Sequence, residues 1–375
     1  MQLPHLQHTL KEFGDRESLE ILSDAAKADL ILSLLEASRF SNLEWKLHAI
    51  TLAKTALQEL DDSYLHACVA ERDCAIFRIL GNTEHSTLAL SSFAAANREH
   101  EVSPRMNAEL GQLTLQSAIN HIYNEELAKA IEELQTWHPL SETSTSKTER
   151  IVLFHMDEWR EKALRYQGRF SDSLACLHRA LLESKHEGSL EDAQARLICN
   201  LGDVHCELGE PLYAERLLNE EIKRLADRGR KNSTDWYLLQ LSRAESLLGQ
   251  RRLDEAEALC SEIQPYPRLS KVNKLRLFTL FGRIYHLRSD WSNARQYWTK
   301  ALAEISAYPL VNGHTSKVIL KSMKEVLLQE GNLQWSTRYK DQINEMKVIK
   351  PGGCEYWIPG LGRWHHYLTR PSERL

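Results

Sequence analysis

The sequence has no Gly-Lys dipeptide and so no P-loop, and it also lacks GxGxxG, GxSxG, HExxH and EF-hand patterns. These absences remove the recognisable nucleotide-binding, serine-hydrolase, metalloprotease and calcium-loop chemistries. No run of 18 apolar residues occurs, which excludes a membrane-spanning helix of ordinary length. The opening residues, MQLPHLQHTL, have neither a basic start nor an apolar core, so no secretory signal is expected. Positive charge is in deficit: the net charge is -5 and the pI about 6.4, unlike a general nucleic-acid binder. The seven cysteines (68, 74, 176, 199, 206, 260 and 354) form no CxxC pair and leave one over. They read as reduced, mostly buried thiols of an intracellular protein, placed in the cytoplasm with the nucleus as alternative. Sixteen histidines are scattered, and none pairs at i, i+4 with a carboxylate placed to make a metal site. No metal and no cofactor is expected.

What the chain does have is a recurring small residue: Ala49, Ala89, Ala130, Ser173, Ala214, Ala256, Ala294 and Ser336, with steps of 40, 41, 43, 41, 42, 38 and 42. A period of this size indicates stacked helical hairpins, since one hairpin cannot bury its own apolar face. The clearest unit begins at Leu275. There Phe278, Phe281, Gly282 and Tyr285 share one helix face, and Trp291, Ala294, Trp298 and Ala301 share the next. Small Gly282 and Ala294 let the two helices approach closely, and the aromatics fill the space beside them. Pro104, Pro139, Pro265, Pro267, Pro309 and Pro351 fall between units, where helices must stop. The stretch SETSTSKTE, Ser141 to Glu149, reads as the most mobile loop.

The order aromatic, Gly, Tyr, aromatic, Ala, aromatic, Ala-Leu resembles the tetratricopeptide repeat. Further units match from Gly111 (Ala118, Leu127, Ala130, Leu134, Trp137), from Phe154 (Gly168, Phe170, Ser173, Leu177), from Ala195 (Leu201, Gly202, Gly209, Ala214, Leu218) and from Tyr237 (Ala244, Leu247, Leu253, Ala256, Cys260). The usual unit is about 34 residues; the steps here are nearer 41, similar to kinesin-light-chain-type arrays and those attached to signalling ATPases. The resemblance implies an all-α, right-handed solenoid of seven to eight hairpins. Residues 1–29 would be an N-terminal cap, 30–347 the array (clearest over 111–306), and 348–375 an aromatic-rich tail.

That tail offers Trp357, Ile358, Leu361, Trp364, Tyr367 and Leu368. It reads as a cap over the last apolar face, with two alternatives: a segment folded back into the groove, or a docking strip. In such arrays the first helix of each pair lines the concave face. On this phase its outward positions carry Arg78, His155, Glu158, Lys162, Arg165, Tyr166, Arg196, Asp203, Arg276, Arg283 and His286, with basic groups in excess. A groove so lined would focus positive potential on a carboxylate-bearing ligand. The resemblance points the same way, because some repeats of this family grip acidic peptide ends with Lys and Arg. The leading expectation is a non-catalytic adaptor holding a protein or peptide partner with acidic groups, without nucleic acid or membrane. The alternatives are a sensor module for a small effector, or an enzyme with a pocket of His155, Glu158, Tyr166 and Asp203.

Overall fold

A computed structural model describes residues 19, 21–58, 60–96, 103–124, 126–141, 143–306, 313–334, 336–337, 339–340 and 357–369. Residues 1–18 and 20 of the expected 1–29 cap, and the tail before Trp357, lie outside the described residues. The chain divides into two compact units, 1–156 and 157–375. The first holds α1 (Asp24–Phe40), α2 (Leu43–Leu57), α3 (Ser63–Ile79), α4 (Thr83–Ala96), α5 (Pro104–Tyr123) and α6 (Leu127–Glu133). The boundary falls inside α7 (Lys147–Tyr166). The second unit continues with α8 (Phe170–His186), a 3-10 turn (Gly188–Ala193), α9 (Gln194–Glu207), α10 (Pro211–Asp227), α11 (Thr234–Gly249), α12 (Leu253–Ile263), α13 (Lys271–Leu287), α14 (Trp291–Ser306), α15 (Gly313–Gln329) and α16 (Leu361–Thr369). No strand occurs among the described residues.

First helices α1, α3, α5, α11 and α13 open on a side-chain cap from Ser23, Asp62, Ser103, Ser233 and Ser270. Second helices after α2 follow a fixed turn, and α2, α4 and α14 also take a side-chain cap, from Asn42, Asn82 and Asp290. The turn's left-handed residue is Gly81, Gly168, Gly209, Arg251, Ser289 or Gly331, with φ between 59° and 85°. The next N–H bonds back to the carbonyl five residues earlier, as in Glu210 to His205 (2.9 Å) and Asp290 to Tyr285 (2.9 Å). Among the described turn residues, Arg251 and Ser289 make this turn without glycine. Ser289→Gly should stabilise by about 0.5–1 kcal/mol and Gly209→Ala should destabilise by about 1 kcal/mol, because only glycine enters this region without a Cβ penalty. Thermal midpoints of the two variants moving in the same direction would contradict the turn assignment.

The recurring small residue is the fourth of the second helix. Ser86, Ala130, Ser173, Ala214, Ala256 and Ala294 are all 0% exposed. This corrects the phase at the N-terminal end: Ser86 holds the position expected of Ala89, which sits one turn further along and is only half-buried. In α2 the fourth residue is Lys46, and buried Ala49 lies a turn beyond it. The stretch Ser141 to Glu149 is tied down by Glu149, itself 1% exposed. Its carboxylate accepts from the Leu140 N–H (2.9 Å), the Ser146 hydroxyl (2.7 Å) and the Asn107 amide (2.8 Å). Burial opposes its charge, but these bonds prevail and hold the carboxyl below its usual range.

Candidate partner-binding face

In the second unit, each first helix places a charged residue six positions before its left-handed turn residue. These are Lys162 in α7, Asp203 in α9, Glu245 in α11, Arg283 in α13 and Glu325 in α15. The central rungs are buried and paired. Arg283 donates to Glu245 at 2.8 Å, the two residues being 3% and 4% exposed. Arg276, two turns further back on the same face of α13, spans two hairpins to reach Asp203 of α9 (2.5 Å) and the Ser242 hydroxyl of α11 (3.1 Å). Arg165 pairs with Glu161 on its own helix (2.8 Å), and the Ser173 hydroxyl donates to Glu161 (3.2 Å). Burial raises the Asp203 carboxyl above its ordinary range, and Arg276 opposes that shift.

The expected excess of solvent-facing positive charge is therefore not realised. Arg165, Arg276, Arg283, Asp203 and His286 are all buried. Carboxylates that the helical phase did not single out, Glu161 and Glu245, neutralise two of the arginines, because a buried charge needs a partner. His286 Nε2 stands 3.8 Å from Glu325 and takes the ring edges of Trp291 and Trp364 at 5.2 and 5.1 Å. Arg196 is exposed and pairs with Glu158 at 2.5 Å. Lys162 lies over the Trp159 ring at 4.4 Å, and Tyr166 is half-buried at the end of α7. Arg78 and His155 belong to the first unit. There Arg78 donates to the Asn120 side chain (3.0 Å), and His155 meets the Phe154 ring at 5.1 Å.

What covers this face in the second unit is the tail. Residues 357–369 touch first helices from α7 to α15. The Arg165 guanidinium lies 4.5 Å from the Trp357 ring. Arg283 donates to the Pro359 carbonyl (3.5 Å), and the Gly360 N–H donates to Glu207 (2.6 Å). Arg363 donates to the Cys206 carbonyl (2.5 Å), and the Trp364 indole to the Ser322 hydroxyl (2.9 Å). Ile358, Leu361 and Trp364 join a core with Leu275, Trp298, Val318 and Ile319. The tail thus contributes to the apolar packing expected of a cap, while its backbone runs onto the first-helix face.

Burial pushes the Glu207 carboxyl up to about 7. Glu245 adds to the shift, while the Gly360 N–H, Arg283 and Arg363 oppose it. In the first unit burial takes Glu109 to about 7, with Glu71 adding and Arg39, Arg72 and a Cys68 hydrogen bond opposing. Both pKa values exceed the unfolded value, so between about pH 4.5 and 7 the folded chain binds more protons and these groups cost stability as pH rises. The urea midpoint of a Glu109→Gln/Glu207→Gln variant should accordingly fall less than that of the unaltered chain between pH 5 and 7.5. Parallel pH profiles would refute the assignment.

No family model matches the sequence, and no curated protein matches it. Among solved structures, the Rap protein complexed with Competence and Sporulation Factor superposes with a TM-score of 0.55 at 10% identity, over 82% of each chain. The fold is that of a tetratricopeptide-like helical-repeat protein. A tetratricopeptide repeat protein from Parabacteroides merdae also aligns, with a TM-score of 0.48 and 14% identity over 80% of this chain and 99% of that one. No described helix of this tetratricopeptide-like chain is long and apolar enough to cross a membrane, and no described His, Cys, Asp or Glu cluster could hold a metal.

Proposed function

We propose that the protein is a non-catalytic adaptor whose second unit holds a segment of a protein partner along its first helices. The observation that carries this reading is that the face already accommodates polypeptide: a turn at Pro359-Gly360 and a nine-residue helix, fixed by main-chain and indole hydrogen bonds. Helix-in-groove recognition needs this combination of apolar pockets and a few directional donors and acceptors. The Rap structure holds its own named factor, which supports ligand binding as a use of this fold; the ligand's identity is not carried over. The paired carboxylates remove the field that would have favoured an acidic partner, so the face reads groups by shape and hydrogen bonding.

A photo-crosslinking residue at Arg196 tests this. Arg196 lies at the same distance before its turn as Arg276 does, and it is exposed. A partner should crosslink from position 196 and not from Glu220, an exposed site on second helix α10. Crosslinking from Glu220 alone would place the partner on the opposite face and overturn the reading.

A further inference from the structure

We infer that residues 357–369 are a displaceable occupant of the first-helix face, and that the external partner is a peptide of the same chemistry: aromatic-rich, without acidic residues, with a glycine seated on the Glu245–Arg283 rung. The inference rests on the adaptor reading above and supplies the partner class.

The fit is specific at one atom. Gly360 has φ +76°, and a Cβ built there would lie 2.0 Å from Glu245 Oε1 and 2.2 Å from Arg283 Nη1. Both side chains are buried and hydrogen-bonded to each other, so neither can retreat, and any other residue would be excluded. The segment WIPGLGRWHHYLT contains one arginine, two histidines and no Asp or Glu. That suits a surface where Glu207 turns a carboxylate oxygen to the segment's own main chain, accepting from the Gly360 N–H. Aromatic rings supply the remaining grip: Trp364 stacks on Tyr367 at 4.6 Å and stands 6.3 Å from Trp298, and Arg251 lies 5.7 Å from Tyr367.

The same contacts make the segment removable. The segment buries five of its thirteen residues, two of them in α16, whereas α13 buries ten of seventeen. Nine residues are too few to hold a helix unaided, so α16 depends on its seat. Docking also keeps Glu207 under the tail, where burial disfavours its charge. A free peptide offering the same groups competes on equal terms, apart from the local concentration of the attached segment.

The test uses the full chain and a fluorescein-labelled peptide of residues 357–369, followed by anisotropy. Gly360→Ala in the chain evicts its own segment, so the labelled peptide should bind about ten-fold or more tightly than to the unaltered chain. The same alanine placed in the peptide should abolish binding. A folded Gly360→Ala chain that binds no better than the unaltered one overturns the inference. Hydrogen exchange of the unaltered chain needs no variant and covers the case of misfolding. Amides of residues 361–369 should exchange about 100-fold faster than those of α13, and equal protection would show the segment to be a fixed part of the core. Either negative result with crosslinking at Arg196 intact leaves the adaptor reading standing. Loss of that crosslinking fails the adaptor reading itself.

Discussion

Replacing Arg276 with methionine is expected to cost about 3–5 kcal/mol of folding stability at neutral pH, because it strands a buried carboxylate. Asp203 is 2% exposed and its charge is balanced by Arg276, which is 5% exposed. Ser242 remains, but its hydroxyl is shared with the Cys199 thiol at 2.8 Å and carries no formal charge. The sign of the pH dependence follows from burial, which already raises the Asp203 carboxyl. Without Arg276 the pKa rises further above the unfolded value, so the penalty is present at high pH and shrinks as the group takes up a proton. Urea midpoints should therefore show a large defect at pH 7.5 and a small one at pH 4.5. Removing both partners, as Asp203→Leu/Arg276→Met, should recover most of the loss, since an apolar pair needs no desolvation of charge. A double variant as unstable as the single one would mean that packing and not charge sets the cost.

That pair also shows where sequence reasoning stops. Helical phase placed Asp203, Arg276 and Arg283 at outward positions of first helices, and the structure buries all three. Phase could not show that another segment lies on top, because the contact between Gly360 and Glu207 joins residues 153 apart and leaves no period behind. With solvent assumed above them, these residues read as an open positive groove; instead the tail lies on Arg283, Asp203 and Arg276 are buried against each other, and buried charges must be neutralised. The signal that was available is the charged residue recurring at Lys162, Asp203, Glu245, Arg283 and Glu325, with alternation of sign between neighbours Glu245 and Arg283. The hairpins themselves were legible because close helix approach restricts residue size, which a sequence records directly. Size alone also explains the slip between Ala89 and Ser86. Both are small, and only the hydrogen bonds from the Ser86 hydroxyl to the Cys74 carbonyl and Asn120 (both 2.9 Å) mark which one is inside.

The second large effect concerns that close approach. An alanine at Gly282 would place its Cβ 2.8 Å from Cδ2 of Trp298, a ring that is 0% exposed. The ring is wedged among Leu275, Ala294, Val318 and Trp364 and cannot swing away, so Gly282→Ala should cost about 1–3 kcal/mol by overpacking. Trp298→Ala should cost about 3–5 kcal/mol by opening a cavity. The informative result is the combination. Once the ring is gone, alanine at 282 has room, and its higher helix propensity is worth up to about 1 kcal/mol over glycine. The same substitution should therefore destabilise the unaltered chain and stabilise the Trp298→Ala chain, a change of sign that urea titration of the four proteins in the cycle resolves. Equal effects in both backgrounds would mean that glycine is required by the backbone of α13 and not by the ring. Gly202 against Leu218 and Gly111 against Trp137 repeat the arrangement, since a Cβ at either glycine would lie under 3.0 Å from the facing side chain. In α13 the consequence reaches further, because Trp298 stands beside Trp364 of the tail. Loss of the ring should loosen α16 and raise its amide exchange before the hairpin itself opens, linking the small-residue period to occupancy of the binding face.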